Sequence, residues 1–174
     1  MNAHILVGLC SLLGLVLASP ALACPREGDA LVLARLAIHE ATWRGEGEVG
    51  PIHETIAGIA ERRGTSWRLA ACAHSPRLTA GTVRRRWVTE LDESGTRPAH
   101  WPRGSSWERW RPVWLAVLSR ARLAVAGQLA PQCERPPTTW GSDEDIRRAA
   151  RSGRIVIVVP CGSTANRFIE WGRR

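Results

Sequence analysis

Residues 29–43, which read Asp-Ala-Leu-Val-Leu-Ala-Arg-Leu-Ala-Ile-His-Glu-Ala-Thr-Trp, decide how the rest of this chain is arranged. With Asp29 as its N-cap, the segment is predicted to be a helix. One face carries three apolar residues and one carboxylate: Leu33, Leu36, Ala37 and Glu40. Leu31 and Ile38 lie on the opposite side, so the helix is apolar nearly all round and is predicted to run through the middle of the fold.

Glu40 stands where that pattern calls for an apolar residue, so its side chain is predicted to point inward. A buried carboxylate without a partner costs several kcal/mol unless it stays protonated, and a carboxyl group that keeps its proton near neutral pH suits a general acid. The alternative is a structural Glu40 in a buried ion pair with one of the arginines.

The first 23 residues are organised like a secretory signal peptide. Ile5 to Leu17 is an apolar run, and Ala21-Leu22-Ala23 is a small-residue cleavage pattern before Cys24. We expect residues 1–23 to be removed, leaving residues 24–174 as a single exported domain, periplasmic or extracellular, with no stable membrane span. A retained membrane anchor and a lipid-modified Cys24 are the alternatives.

Four cysteines remain after that cleavage: Cys24, Cys72, Cys133 and Cys161. An even number in an exported domain predicts two disulfides, in any of three pairings. The spacing is too wide for a zinc site built from them, and neither His39-Glu40 nor His53-Glu54 continues as the H-E-x-x-H pattern. No metal and no cofactor is expected.

The chain has 24 arginines, no lysine and a net charge of +8. In an exported protein this charge favours anionic cell-wall polymers as partners. Arg84-Arg85-Arg86 and Arg147-Arg148 lie on separate predicted helices without a DNA-docking motif, so nucleic acid is not expected as a partner.

The remaining pattern predicts a mainly α (α+β) fold with a small β element. Residues 44–50 are predicted to form a loop, after which Pro51 opens a second helix ending at Gly64. Ile155 to Val159 is the single predicted strand. Further helices are predicted over residues 66–73, 79–91, 107–128 (regular from Trp110) and 143–151 (capped by Ser142).

Nine tryptophans are unusual in a chain of this size, and five lie close together: Trp87, Trp101, Trp107, Trp110 and Trp114. Helical spacing to apolar neighbours makes core packing the first interpretation. Trp101 and Trp107, in or beside a loop, are the candidates for stacking on a sugar ring.

Covalent catalysis by serine or cysteine finds no support, because the chain has no G-x-S-x-G elbow and its cysteines are expected in disulfides. Carboxylate chemistry remains, and an inward glutamate in a basic exported protein favours glycoside cleavage.

Residues 34–41 (Ala-Arg-Leu-Ala-Ile-His-Glu-Ala), then Arg44-Gly45-Glu46, then Arg62-Arg63, resemble the opening of the spore cortex-lytic type of cell-wall hydrolases. The resemblance implies a lysozyme-like helical domain that cleaves peptidoglycan glycan strands, with Glu40 as catalytic acid. Thr164-x-Asn166-x-Phe168 is similar to the end of that family, which implies a substrate-binding role for Thr164 and Asn166.

The chain departs from the family pattern at three positions. Trp43 is an insertion, which we expect to contact substrate; Arg62 replaces an Asn; and Asn166 stands where the family often has His. Each departure is consistent with a divergent branch, altered specificity or lost activity.

A hydrolase with two carboxylates would need a partner for Glu40. The candidates are Glu46 and Glu48, in the predicted loop, and Glu54, near the start of the predicted second helix, where a negative charge is favoured anyway. None has a signal like that of Glu40, and Glu54 is taken as the second catalytic candidate. A lytic transglycosylase needs one carboxylate, since the sugar's own 6-hydroxyl attacks. The predicted function is therefore a muramidase or lytic transglycosylase; the alternative is a non-catalytic wall-binding or structural module on the same fold.

Overall fold

The computed structural model describes residues 27–41, 45–75, 86–162 and 166–172. The predicted signal peptide, Cys24, Trp43 and Thr164 lie outside the described residues.

The described part of the chain is mainly helical with one small sheet, as predicted for a mainly α (α+β) fold. The helices are α1 (Asp29–Ala41), α2 (Gly45–Arg63), α3 (Trp67–His74), α4 (Arg86–Thr89), α5 (Trp107–Val125) and α6 (Asp143–Arg151). The strands are β1 (Thr139–Gly141), β2 (Val156–Val159) and β3 (Arg167–Trp171).

Helix α1 lies at the centre of the fold, where it packs against both α2 and α5. Leu33 and Leu36 are completely buried, and Leu31 and Ile38 on the opposite side are buried as well. The prediction of a helix apolar nearly all round is confirmed. Asp29 occupies the first helical turn instead of the cap position, and its carboxylate accepts a hydrogen bond from Trp67 Nε1 at 3.1 Å.

Helix α2 begins at Gly45, so the predicted loop over residues 44–50 is wrong for all but its first residue, Arg44, which lies outside the described part. Pro51 lies inside this helix instead of opening it. Glycine and proline disfavour a helix interior, but here the turn carries Glu48 and Val49, both fully buried. Tertiary packing of that turn and hydrogen bonds to it outweigh the low helix propensity of glycine and proline.

Helix α5 begins at Trp107 and ends at Val125, so it starts earlier than Trp110 and ends before Gln128. Ser106 sets the start, because its Oγ accepts a hydrogen bond from the Arg109 backbone N–H.

The smaller helices follow the sequence more closely. Ser142 and Asp145 form a reciprocal capping box at the start of α6, as the Ser142 cap predicted. Of the helix predicted over residues 79–91, residues 79–85 lie outside the described residues; the rest is helical only as α4, which ends at Thr89, two residues before the predicted end.

The sheet is antiparallel, with β3 between β1 and β2. The predicted strand is β2, whereas β1 and β3 were missed. At the centre of the sheet, Phe168 pairs with Trp140 on one side and with Val159 on the other. No helix among the described residues is long and apolar enough to cross a membrane.

A disulfide joins Cys133, in the segment before β1, to Cys161, which follows β2. Cys72 is also disulfide-bonded. Both observations agree with the expectation that the cysteines of the exported domain are oxidised.

Candidate functional site

Glu40 lies in the last turn of α1, half-buried at the end of the core helix. Its Oε1 accepts a hydrogen bond from Ser75 Oγ at 3.0 Å, and its Oε2 accepts one from Trp140 Nε1 at 3.3 Å. Each carboxylate oxygen therefore has a neutral donor from a different part of the fold.

The local structure at the end of helix α3 explains why the Ser75 hydroxyl can donate a hydrogen bond to Glu40. Helix α3 begins at its N-cap Ser66 and ends at His74, and Ser75 closes it with a backbone hydrogen bond to Ala71. Ser75 is itself buried, so its hydroxyl needs a partner inside the protein, and Glu40 supplies it.

Trp140 is placed by the sheet. Its backbone pairs with Phe168 of β3, and the two rings pack with centroids 6.2 Å apart. Phe168 is buried in the core, so its packing against the Trp140 indole fixes the position of that ring. Trp140 Nε1 donates its hydrogen bond to Glu40 from this position.

His74 completes the surroundings of Glu40. Its imidazole centroid lies 4.4 Å from that of Trp140. Burial lowers the pKa of His74 below its ordinary value of 6.5; the negative charge of Glu40 opposes this change and the positive charge of Arg63 adds to it. This shift favours the uncharged form of His74 at neutral pH, so the imidazole is mostly neutral beside the carboxylate.

The alternative interpretation of Glu40 is a buried ion pair with an arginine. Within the described part of the chain, no arginine forms a salt bridge with Glu40. Arg35, on the same helix, is committed elsewhere: it pairs with Glu27 and donates to the Leu91 carbonyl at 2.8 and 2.6 Å.

Glu54, the expected second catalytic carboxylate, is hydrogen-bonded to backbone N–H groups. Its two oxygens accept hydrogen bonds from the N–H groups of Gln132 and Cys133, at 2.7 and 3.3 Å. These bonds fix the segment that carries the disulfide to α2. The contacts of Glu54 are structural, and it shares none of the hydrogen-bond partners of Glu40.

Glu48 is fully buried, and Asn166 is bound to it. Glu48 accepts hydrogen bonds from the Asn166 backbone N–H at 3.1 Å and from its Nδ2 at 3.5 Å. The structure therefore places Asn166, predicted to bind substrate, against a buried carboxylate that attaches the start of β3 to α2.

Trp101 and Trp107, predicted to bind sugar, are only 5% and 6% exposed. Their rings pack against each other at 4.9 Å and each also contacts Trp110. Low exposure and contacts with neighbouring indoles are what the core-packing interpretation requires.

Sequence reasoning missed three neighbours of Glu40: His74, Ser75 and Trp140. His74 and Ser75 directly follow the helix predicted over residues 66–73, and Trp140 lies beyond a proline-rich stretch that gives little pattern. No local signal links any of them to α1.

Among the described residues, no group of three or more histidine, cysteine, aspartate or glutamate side chains could hold a metal ion. Comparison of the chain with protein-family models, curated proteins and solved structures finds no match.

Proposed function

We propose that this protein cleaves the glycan strands of peptidoglycan, with Glu40 as the general acid and base. The observation that carries the proposal is the setting of Glu40: a half-buried carboxylate on a core helix, held at both oxygens by the neutral donors Ser75 and Trp140. Both donors are side chains, whereas the structural Glu54 is held by two backbone N–H groups. Side-chain donors of this kind orient the carboxylate without a permanent positive charge beside it, which suits an acid that must give up and regain a proton.

In the proposed reaction, Glu40 gives its proton to the oxygen of the glycosidic bond. That bond breaks, the leaving sugar departs as an alcohol, and positive charge develops at the anomeric carbon. The Glu40 carboxylate then takes a proton from the attacking hydroxyl, which forms the new bond to the anomeric carbon and regenerates the acid.

The setting of the other carboxylates supports one choice of attacking group. Glu54 is bound by two backbone N–H groups and Glu48 is buried against Asn166, so neither is presented as a second reacting group beside Glu40. Glu46 is exposed in the first turn of α2. This distribution favours single-carboxylate chemistry, in which the sugar's own 6-hydroxyl attacks, and so favours a lytic transglycosylase over a muramidase.

The protein is proposed to act outside the cytoplasm. The signal-like sequence of residues 1–23 and the Cys133–Cys161 disulfide support export. The net charge of +8 supports binding to anionic wall polymers, and this binding should weaken as salt is added.

The test is digestion of purified peptidoglycan followed by mass analysis of the soluble fragments. A transglycosylase releases fragments with an anhydro end, lighter by one water than the products of a muramidase. Fragments of either type support glycan cleavage, and the mass difference decides between the two. Binding without release of fragments would instead favour the non-catalytic wall-binding module.

A further inference from the structure

A pocket lies between α4 and the loop that precedes α5. Its volume of about 530 Å³ is in the range of sites that hold small molecules. The residues around it are aromatic, basic or small: Arg86, Trp87, Ala99, His100, Trp101, Pro102 and Arg103.

Trp87 provides the aromatic surface of this pocket. It is half-buried, and its ring makes edge-on contacts with Trp101 and Trp110, with centroids 5.0 and 5.2 Å apart. Two perpendicular neighbours fix the plane of the indole, so it can meet a flat apolar ligand face without losing rotamer freedom.

The loop of residues 99–103, which also lines the pocket, is fixed as well. The backbone N–H of His100 donates to Glu90 at 2.8 Å, and the Trp101 indole N–H donates to the Ser105 carbonyl at 2.9 Å. A turn closes the loop with a hydrogen bond from Ser105 N–H to the Pro102 carbonyl. The pocket therefore exists before any ligand binds.

The rim of the pocket carries unbalanced positive charge. Arg86 has a loose pairing with Glu90 at 3.6 Å, and Glu90 is also the partner of His100. Arg103 is exposed, and within the described ranges it forms no salt bridge. The flat fork of an arginine side chain binds a carboxylate through two parallel hydrogen bonds.

We propose that this pocket binds an acidic saccharide, with the sugar ring against Trp87 and the sugar's carboxylate at Arg103. A nucleotide also combines a flat ring with an anionic group. The saccharide is favoured because the Cys133–Cys161 disulfide belongs to oxidising compartments outside the cytoplasm, where acidic glycans are abundant. The proposal does not depend on cleavage, since none of the pocket residues is a hydrogen-bond partner of Glu40.

The test compares two ligands that differ only at one carbon, methyl β-glucuronide and methyl β-glucoside, titrated into the isotope-labelled protein and followed by NMR. We expect the glucuronide to bind at least about tenfold more tightly, as one charge-assisted bidentate contact allows, and to shift the indole N–H signal of Trp87. Arg103→Gln should reduce this preference to about twofold or less. Arg147→Gln, which removes the same charge from α6, should leave it unchanged.

Equal affinity for the two glycosides would overturn the proposal, as would an undiminished preference in Arg103→Gln. A third ligand, adenosine monophosphate, tests the competing class: if it shifts the same signals at lower concentration than the glucuronide, the pocket is a nucleotide site and the saccharide assignment is wrong. Trp87→Phe tests the stacking contact. If it keeps the wild-type melting temperature, it should weaken both glycosides by a similar factor, and unchanged binding would contradict the proposed contact.

Discussion

The indole Nε1 of Trp140 donates a hydrogen bond to Oε2 of Glu40 at 3.3 Å, across 100 positions of sequence. The other carboxylate oxygen receives its hydrogen bond from Ser75, 35 positions away. The helical core supplies the carboxylate, a helix end supplies one donor and the sheet supplies the other. The small sheet is therefore part of the candidate site as well as of the fold.

Removing either donor should impair the carboxylate without unfolding the protein. Ser75→Ala and Trp140→Phe each delete one hydrogen bond, and the loss of roughly 1 kcal/mol of orientation should reduce the rate of glycan cleavage about fivefold or more. Trp140→Phe keeps a ring against His74 and Phe168, so its melting temperature should fall little. Full activity in both variants would show that these contacts do not position Glu40 for reaction.

Glu54 should matter for stability and little for chemistry. Glu54→Gln leaves one acceptor oxygen for two backbone N–H groups, so one hydrogen bond is lost and the other loses its charge, and we expect the free energy of unfolding, measured in urea, to fall by about 1–3 kcal/mol. Glu144→Gln is the matched control, because the one ion pair that Glu144 forms with a described residue is an exposed pair with Arg148. If folded Glu54→Gln protein loses its activity entirely, Glu54 is a second reacting carboxylate and single-carboxylate chemistry is wrong.

The stability of the protein should fall as the pH drops below about 6.5. Burial lowers the pKa values of His53 and His74 below that ordinary value, so in acid the unfolded chain takes up protons that the folded protein does not. Each histidine can then remove up to about 1.4 kcal/mol per pH unit, until the pH reaches its folded-state pKa.

Urea unfolding at pH 7.5 and 5.5 measures this dependence. The double variant His53→Gln, His74→Gln should lose less stability over that interval than the wild type. An equal loss in both proteins would mean that other groups control the acid sensitivity.

The tryptophan cluster should behave as core. Trp101→Ala removes a side chain that is only 5% exposed and packs against Trp87, Trp107 and Trp110, and should cost about 3–5 kcal/mol. Trp171, which is 37% exposed, is the comparison within the same chain; Trp171→Ala should cost much less. Thermal unfolding measures the loss of stability in each variant, and similar losses in both would contradict the described packing.

The structural features that could be predicted from the sequence are those that depend on local pattern. The face of α1 and its inward Glu40, the cap of α6 at Ser142 and the strand β2 all follow from spacing within a few residues. Strands β1 and β3 were not predicted, because one is three residues long and the other carries Arg167 and Glu170 among its apolar residues.

Long-range contacts explain the rest. Glu48, Ile52 and Ile56 lie at helical spacing and are all completely buried, which is the signal that singled out Glu40. The glycines and Pro51 around Glu48 led to the prediction of a loop instead, so the helical spacing of these three residues was not recognised. Ser75 and Trp140 could not be assigned from sequence, since only tertiary structure brings them to Glu40.

The most direct measurement compares wild-type protein with Glu40→Gln on purified peptidoglycan, with fragment masses and melting temperature recorded for both. Gln keeps the shape of the protonated acid but cannot give up a proton. We expect fragments with anhydro ends from the wild type, none from Glu40→Gln, and a folded variant whose melting temperature stays close to that of the wild type. A wild type that releases no fragments, a variant that still cleaves, or a variant that is inactive only because it unfolds would contradict the assignment of Glu40 as the catalytic residue.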